Sequence, residues 1–486
     1  MTQKQKQKSY ALPIAMMFAL FFMIAFVTGL PSPMGVIVAK QFGASNFASQ
    51  LGFFANFIAY AFMGIPAGMM LKKIGGKKTA LAAIVVGFSG VGVQFLSGAV
   101  GSFAVYLTGA FISGFSVCML NTVVNPMLNT LGGGGNKGNQ LMQFGGSINS
   151  IAATMTPMLV GHLMGAEAGR TIEKANPALF LAMGIFALVF VVLLFVSIPE
   201  PHMETEKKIE TKGSRKYSPL SFRHFVLGAV AIFVYVGVEV GIPSTANLYM
   251  TTFTKEQAQE KIDEYQKQQS DAAYLNALLQ EDNANIETND YEPKVISIDS
   301  YTKSVKVVEG TVKSGLGISA AIAGIIVGIY WLLMLAGRLT GASLGAKFSS
   351  KSMMTFVCAL GGILVLLAIF FPTSVTINIA GIIKSAVPVH VPINIIFIIL
   401  CGLCTSVMWG GIFNLAVEGL GKYTAAASGI FMVMVCGGGI IPLIQGYVAD
   451  IAGYLPSYWV MFVGIIYMLY YALIGSKNVN KDIPVE

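Results

Sequence analysis

Twelve long apolar stretches run through this 486-residue chain, and they restrict its fold more than any single motif does. A run of about 20 apolar residues crosses the ~30 Å hydrocarbon core as a helix, with its backbone polar groups bonded within the segment. The spans are predicted at 10–39, 47–71, 79–98, 102–129, 139–163 and 177–198, then at 222–252, 316–342, 353–371, 392–417, 424–449 and 456–475. Composition agrees, since 55% of the residues are hydrophobic and 11% charged, too few charges to cover a soluble surface. Barrel strands would be about 10 residues long and would alternate polar with apolar, which these do not. The expected fold class is an all-α polytopic membrane protein with twelve transmembrane helices.

A polar stretch divides the spans six and six. Residues 1–198 are predicted to form an amino-terminal six-helix bundle, 199–221 a cytoplasmic linker, and 222–486 a carboxy-terminal six-helix bundle. Two bundles of equal span number suggest a repeat about an axis along the membrane normal. Lys and Arg collect on one side: Lys4, Lys6 and Lys8, then Lys72, Lys73, Lys77 and Lys78, then the linker, Lys347, Lys351, Lys422, Lys477 and Lys481. The opposite side carries few, namely Lys40, Arg170, Lys174 and Lys384. The positive-inside bias places both termini in the cytoplasm, as a multi-pass protein of the cytoplasmic (inner) membrane. It also accounts for the formal charge of +8 through anionic lipid, so no nucleic-acid partner is inferred. No cleavable signal peptide is expected, because the apolar run after Lys8 is too long and has no small-residue cleavage site.

An extracytoplasmic insertion, 253–315, follows the seventh span and holds 12 acidic and 7 basic residues. Lys255–Gln280 reads as a polar helix or two, and Val295–Val308 as one or two short strands. A lid, a partner dock and a tolerated surface loop all fit. Gly132–Gly135 reads as a turn and lacks the Lys-Ser/Thr of a phosphate loop. The five cysteines all fall inside spans. Cys401 and Cys404 form a CxxC with no second pair, and small apolar packing is the better reading.

Within the spans, Glu239 is the one carboxylate set well inside. Charge in hydrocarbon costs roughly 2.5–3.5 kcal/mol on insertion scales, so such a group faces a cavity or a partner. By the span assignment no Lys or Arg lies at its depth. A protonated, hydrogen-bonded carboxyl is one reading and a coupling residue that loads and releases a proton is the other. The remaining polar groups are neutral. Asn121 and Asn125 share a helical face ahead of Pro126; Gln143, Asn149 and Ser150 lie in span five with Gly145, Gly146 and Pro157. Span seven adds Pro243, Ser244, Thr245 and Asn247, and span ten adds Trp409, Asn414 and Glu418. Amides both donate and accept, which suits the replacement of water around hydroxyls, and aromatic faces suit the C–H surface of a sugar ring. A single Asn more simply makes an interhelical hydrogen bond; their number tilts the set towards a site. Gly68, Lys72 and Gly75 after span two are matched by Gly337, Arg338 and Gly341 at the end of span eight, which reads as positive-inside anchoring or as a gating hinge.

The chain resembles the fucose–proton symporter family of the major facilitator superfamily. The resemblance rests on Phe21-Phe22, Phe26-Val27-Thr28 and Pro33; Asn46-Phe47; Gly64, Pro66 and Gly68; and Leu120-Asn121 through Asn125-Pro126. It continues through Asn149-Ser150; Tyr235, Gly237 and Glu239; Gly419, Gly421 and Lys422; and Gly437–Gly439 to Asp450. It implies a major facilitator fold and alternating access around a central sugar site, with Asn121, Asn149 and Asn247 at or near the sugar. The family's first-helix aspartate aligns with Ser32, its fourth-helix glutamate with Asn121, and a fifth-helix glutamine with Gly146. Neither Ser32 nor Asn121 takes up a proton near neutral pH.

The expected function is import of a neutral monosaccharide or derivative of the fucose, glucose/galactose or N-acetylglucosamine type. Asn121, Asn125, Asn149, Asn247, Gln143, Trp409 and Asn414 are the candidate binding residues. Glu239 is the coupling candidate, and Gly68, Lys72, Gly75 and Arg338 are the gating candidates. Proton coupling, sodium coupling and uncoupled facilitation are all open, with no resident cofactor or metal and with a monomer as the working unit. The rivals are an exporter of apolar compounds and a membrane sugar sensor that does not transport. An enzyme is not expected, because no metal-ligand cluster or nucleophile–base pair stands out.

Overall fold

A computed structural model describes residues 10–31, 33–34, 37, 45–131, 135–163, 175–196, 198, 217–281, 298–344, 348–383, 388–420, 423–480 and 482–483. The first six long helices are α1 (Ala11–Gly29), α2 (Leu51–Ile74), α3 (Gly76–Val100), α4 (Phe103–Leu131), α5 (Gly135–Leu163) and α6 (Asn176–Phe195). Next come α7 (Arg223–Thr251) and two helices of the insertion, α8 (Lys255–Glu281) and α9 (Ile298–Val308). The chain continues with α10 (Ala320–Leu344), α11 (Ser350–Phe370), α12 (Ile393–Thr405) and α13 (Met408–Val417). It closes with α14 (Thr424–Met434), α15 (Gly437–Ala452) and α16 (Trp459–Tyr470). A two-stranded antiparallel ribbon pairs β1 (Thr376–Asn378) with β2 (His390–Pro392) ahead of α12.

Eleven helical segments among the described residues are long and apolar enough to cross a membrane. The twelfth expected span, α5, has the length but carries Asn136, Asn139, Gln140, Gln143 and Asn149, which lower its hydropathy. It is shielded instead, because it packs against α1 on one side and α10 on another. Two predicted spans are broken helices. Ser406 and Val407 separate α12 from α13, and Val435 and Cys436 separate α14 from α15. Glycine ends two early helices where the chain must reverse: Gly75 (φ 82°) closes α2 and Gly101 (φ 64°) closes α3.

Helices α1–α6 pack among themselves, with α4 against α2 and α3, and α1 against α5. In the second set α7 touches α12, α13, α15 and α16, while α11 lies on α12 and α16. The sets meet along two seams, α5 with α10 and α2 with α14 and α15. Both seams depend on missing side chains. A Cβ on Gly324 would collide with the Pro157 carbonyl oxygen, and one on Gly439 would sit 2.7 Å from the Phe54 Cα. In lipid, where water expulsion does not drive helices together, such close backbone approach supplies the contact energy. The five cysteines are free and buried.

The insertion forms a small body of its own. Phe253, Ala258, Val307 and Val312 make its core, and Tyr265 stacks on Tyr301 at 4.3 Å. The expected strands at 295–308 are overturned: 298–308 is helix α9, and 295–297 lie outside the described residues. The β-branched residues misled the local reading. Ser304 and Val307, one turn apart, are both fully buried, and α9 packs on α8, so tertiary packing overrides strand propensity. The insertion leaves and re-enters at one point, because Gly315 N–H donates to Phe253 O and Leu316 N–H to Tyr249 O. We call this end of the bundle the insertion face and the opposite end, where Arg223 N–H bonds to Asn480 Oδ1, the terminal face. The turn expected at 132–135 lies almost wholly outside the described residues, as do Ser32, 199–216 and the side chains of Lys72 and Gln143.

Candidate functional site

Two charged side chains, one on α7 and one on α10, meet inside the bundle against polar groups of α5. Arg338 is near the end of α10, where the sequence suggests a gating cation at the membrane surface. Its guanidinium turns inward instead. Nη1 donates to the Gly146 carbonyl and to Ser150 Oγ, each at 2.7 Å, and both acceptors are on α5. Nη2 donates to Glu239 Oε1 on α7 at 3.3 Å, and both side chains are 15% exposed. The expectation that Glu239 has no basic partner at its depth is therefore wrong. A span assignment gives the depth of the backbone, whereas an arginine stem places its head well away from its own Cα. The pair satisfies the requirement that a charge in lipid be matched. One guanidinium thus joins both sets of helices.

Aromatic side chains wall this charge in. The Tyr330 hydroxyl donates to the Glu239 backbone carbonyl and meets Thr405 Oγ1, both at 3.1 Å. Tyr235 is one turn before Glu239 on α7. Its hydroxyl is fully buried against both charged groups, Glu239 and Arg338. The Trp409 ring is 6.1 Å from that of Tyr235. Trp331 stands edge-on to Tyr330 and packs against Ala25, Ala152 and Ala153 from the other helix set. Carbohydrate-like solutes need this mixture, with flat apolar faces for C–H surfaces and fixed donors and acceptors for hydroxyls.

The amides occupy less uniform positions. Asn121 donates to the Tyr60 hydroxyl at 2.8 Å, and Asn125 donates back to the Asn121 carbonyl at 2.9 Å. Asn149, beside Ser150, donates to the Phe21 carbonyl at 3.4 Å. Asn247 is buried towards the insertion face, and Asn414 is exposed. Glu239, Arg338 and Trp409 therefore come together around Tyr235, with Asn149 next to Ser150 on the facing helix, while Asn247 and Asn414 lie elsewhere. Among the gating candidates, Gly68 has open space where a Cβ would be, and Gly75 ends α2 with a positive φ of 82°.

A second cluster, not singled out from the sequence, seals the seam nearer the insertion face. Ser244 Oγ donates to Gln50 Oε1 at 2.7 Å, and Gln50 Nε2 donates to Thr245 Oγ1 at 3.4 Å. Asp450 accepts from the Asn46 and Phe47 backbone N–H groups at 2.7 and 2.9 Å. Ser244, Thr245 and Asp450 are polar in the sequence, but nothing local pairs them with residues 194 or more positions away. No group of three or more His, Cys, Asp or Glu side chains able to hold a metal occurs among the described residues.

Residues 16–262 match the Major Facilitator Superfamily model. This chain belongs to the Major Facilitator Superfamily. Its members are transporters and not enzymes. The chain is 24% identical over 479 residues to a glucose/galactose transporter of Brucella abortus, with 98% of this chain and 97% of that protein covered. It is 25% identical over 489 residues to a putative glucose/galactose transporter of Helicobacter pylori, covering 97% and 99%. It is 22% identical over 474 residues to the L-fucose-proton symporter of Escherichia coli, covering 93% and 90%. Among solved structures, the transporter FucP in its outward conformation matches with a TM-score of 0.62 at 18% identity, covering 97% of this chain and all of that one. A mutant of the nucleoside transporter NupG matches at 0.60 and 13% identity, covering 96% and all of that chain. The sugar-symporter resemblance read from the sequence agrees with these relatives, and the fold agrees with both structures.

Proposed function

We propose that this superfamily member imports a neutral monosaccharide across the cytoplasmic membrane by alternating access, working as a monomer with both termini in the cytoplasm. The observation that carries the reading is the Arg338 guanidinium, which bonds α5 on one side of the seam and Glu239 on the other. A neutral net charge at that point suits an uncharged polyol, since an anionic solute would meet Glu239 and a cationic one Arg338. The relatives named for glucose/galactose and L-fucose support the same substrate class. Sidedness rests on the Lys and Arg bias, which puts the insertion face outside.

In the mechanism, the two helix sets rock about the central polar groups. The Gln50–Ser244–Thr245 and Asp450 contacts hold the seam shut near the insertion face, and opening to that side must break them. Sugar hydroxyls take over hydrogen bonds at the centre, and resealing carries the occupied site to the other side. Glu239 is the proton-accepting candidate for coupling, a role that Ser32 and Asn121 cannot fill. The test is uptake of labelled glucose, galactose and fucose into proteoliposomes, with and without an imposed proton or sodium gradient. Accumulation above equilibrium with acid outside supports proton symport. Uptake that stops at equilibrium under both gradients removes coupling, and no saturable uptake of any of the three removes the sugar reading.

A further inference from the structure

Tyr235, Glu239 and Arg338 leave a specific set of valences open. Arg338 Nη1 is committed to Gly146 and Ser150, and Nη2 makes one long bond of 3.3 Å to Glu239 Oε1. A guanidinium carries five N–H donors, and an ionised carboxylate accepts at about four lone-pair positions, so both groups retain capacity. The Tyr235 hydroxyl is more telling. It is 0% exposed and stands against both charged groups. Buried hydroxyls are nearly always bonded, and a phenolic hydroxyl both donates and accepts, so this one keeps capacity beside the two charged groups. On the α5 side the guanidinium lies against Gly146, where a Cβ would sit in ordinary contact at 3.8 Å from Arg338 Nη1.

We propose that Tyr235, Glu239 and Arg338 form a subsite for two adjacent hydroxyls of the transported sugar. The Glu239 carboxylate accepts from one hydroxyl, a free Arg338 N–H donates to its neighbour, and the Tyr235 hydroxyl completes the bond set. Trp409, whose ring lies 6.1 Å from that of Tyr235, covers the adjoining C–H surface. The subsite rests on the sugar-import reading and makes it more specific: it puts selectivity for hydroxyl stereochemistry on the second helix set. Because Arg338 also holds α5, the sugar and the opposite helix set share one guanidinium, which ties occupancy to the seam.

The experiment is equilibrium binding of glucose, galactose and fucose, and of their singly deoxygenated derivatives, to purified protein by tryptophan fluorescence. Wild type is compared with Tyr235→Phe and Arg338→Lys. Tyr235→Phe removes the hydroxyl and keeps the packed ring, so the fold is retained. It weakens the preferred sugar by about tenfold, the scale of one hydrogen bond to a charged network. It causes no further loss for the deoxy derivative that lacks the hydroxyl bound there. Arg338→Lys behaves likewise towards the neighbouring position. Equal losses for every derivative, or no loss for either variant, would overturn the subsite while leaving sugar transport standing. Failure of wild type to bind any of the three sugars would overturn both.

Discussion

The Asp450 carboxylate, at the end of α15, caps the helical turn that begins at Asn46, in the other helix set. Oδ1 accepts the Asn46 N–H at 2.7 Å and Oδ2 the Phe47 N–H at 2.9 Å. The first N–H groups of a helix have no partner within it, and a carboxylate there also meets the favourable end of the helix dipole. Here that partner comes from 404 residues away. Opening the seam on the insertion face must therefore leave both N–H groups to water.

Replacing Asp450 by Ala removes this cap. Loss of an N-cap costs about 1 kcal/mol, a several-fold shift of population towards the arrangement open at the insertion face. Phe47 and Tyr447 face each other across this seam with ring centroids 6.4 Å apart, which makes them suitable label positions. Spin labels at both positions report a second, longer distance in Asp450→Ala and a smaller share of it in Asp450→Asn. An unchanged distance distribution in both variants means that the cap does not contribute to closure.

Glu239→Gln tests coupling apart from fold. Glutamine keeps the shape and can still accept from Arg338, so exchange of sugar across the membrane continues. Accumulation driven by a proton gradient disappears if Glu239 carries the proton. Full accumulation in a well-folded Glu239→Gln protein rules the residue out as the coupler.

Glu239→Ala differs from Glu239→Gln because it leaves the guanidinium without its counter-charge. Breaking one side of a buried ion pair costs about 3–5 kcal/mol, so thermal stability in detergent drops sharply. The double variant Glu239→Ala/Arg338→Met recovers much of the loss. Equal melting temperatures for the wild type and Glu239→Ala would show that the pair is solvated.

Asn149→Ala is expected to weaken sugar affinity by about tenfold, with little change in stability, because its bond to Phe21 O is long at 3.4 Å. Asn121→Ala strips the Tyr60 hydroxyl of its donor and lowers stability as well as affinity. Binding titrations alongside thermal melts separate the two effects. Affinity unchanged in both variants takes these amides out of the site.

Joining Phe253 directly to Lys313 deletes the insertion while preserving the contacts that stitch its ends, such as Gly315 N–H to Phe253 O. The insertion has its own small core, so the membrane helices retain their packing and exchange continues. Total loss of transport in a monodisperse, thermally stable deletion variant would make α8 and α9 an essential lid.

The helical membrane fold is legible in the amino-acid order alone, because apolar length is a local property and hydrocarbon admits few alternatives for a polar backbone. That order also exposes Glu239 by the same logic, since charge in such a run is costly wherever the chain goes. The partners of that charge come from the packing of distant helices. Arg338 looked like a surface cation because its backbone is near a helix end, and the direction of a long side chain is set by what it meets. The Gln50–Ser244 and Asn46–Asp450 contacts join positions hundreds of residues apart, which no local spacing encodes. Helix α9 shows the same limit inside the insertion. Its β-branched residues favour a strand alone, and the apolar face of α8 makes the helical arrangement the one that buries Val307.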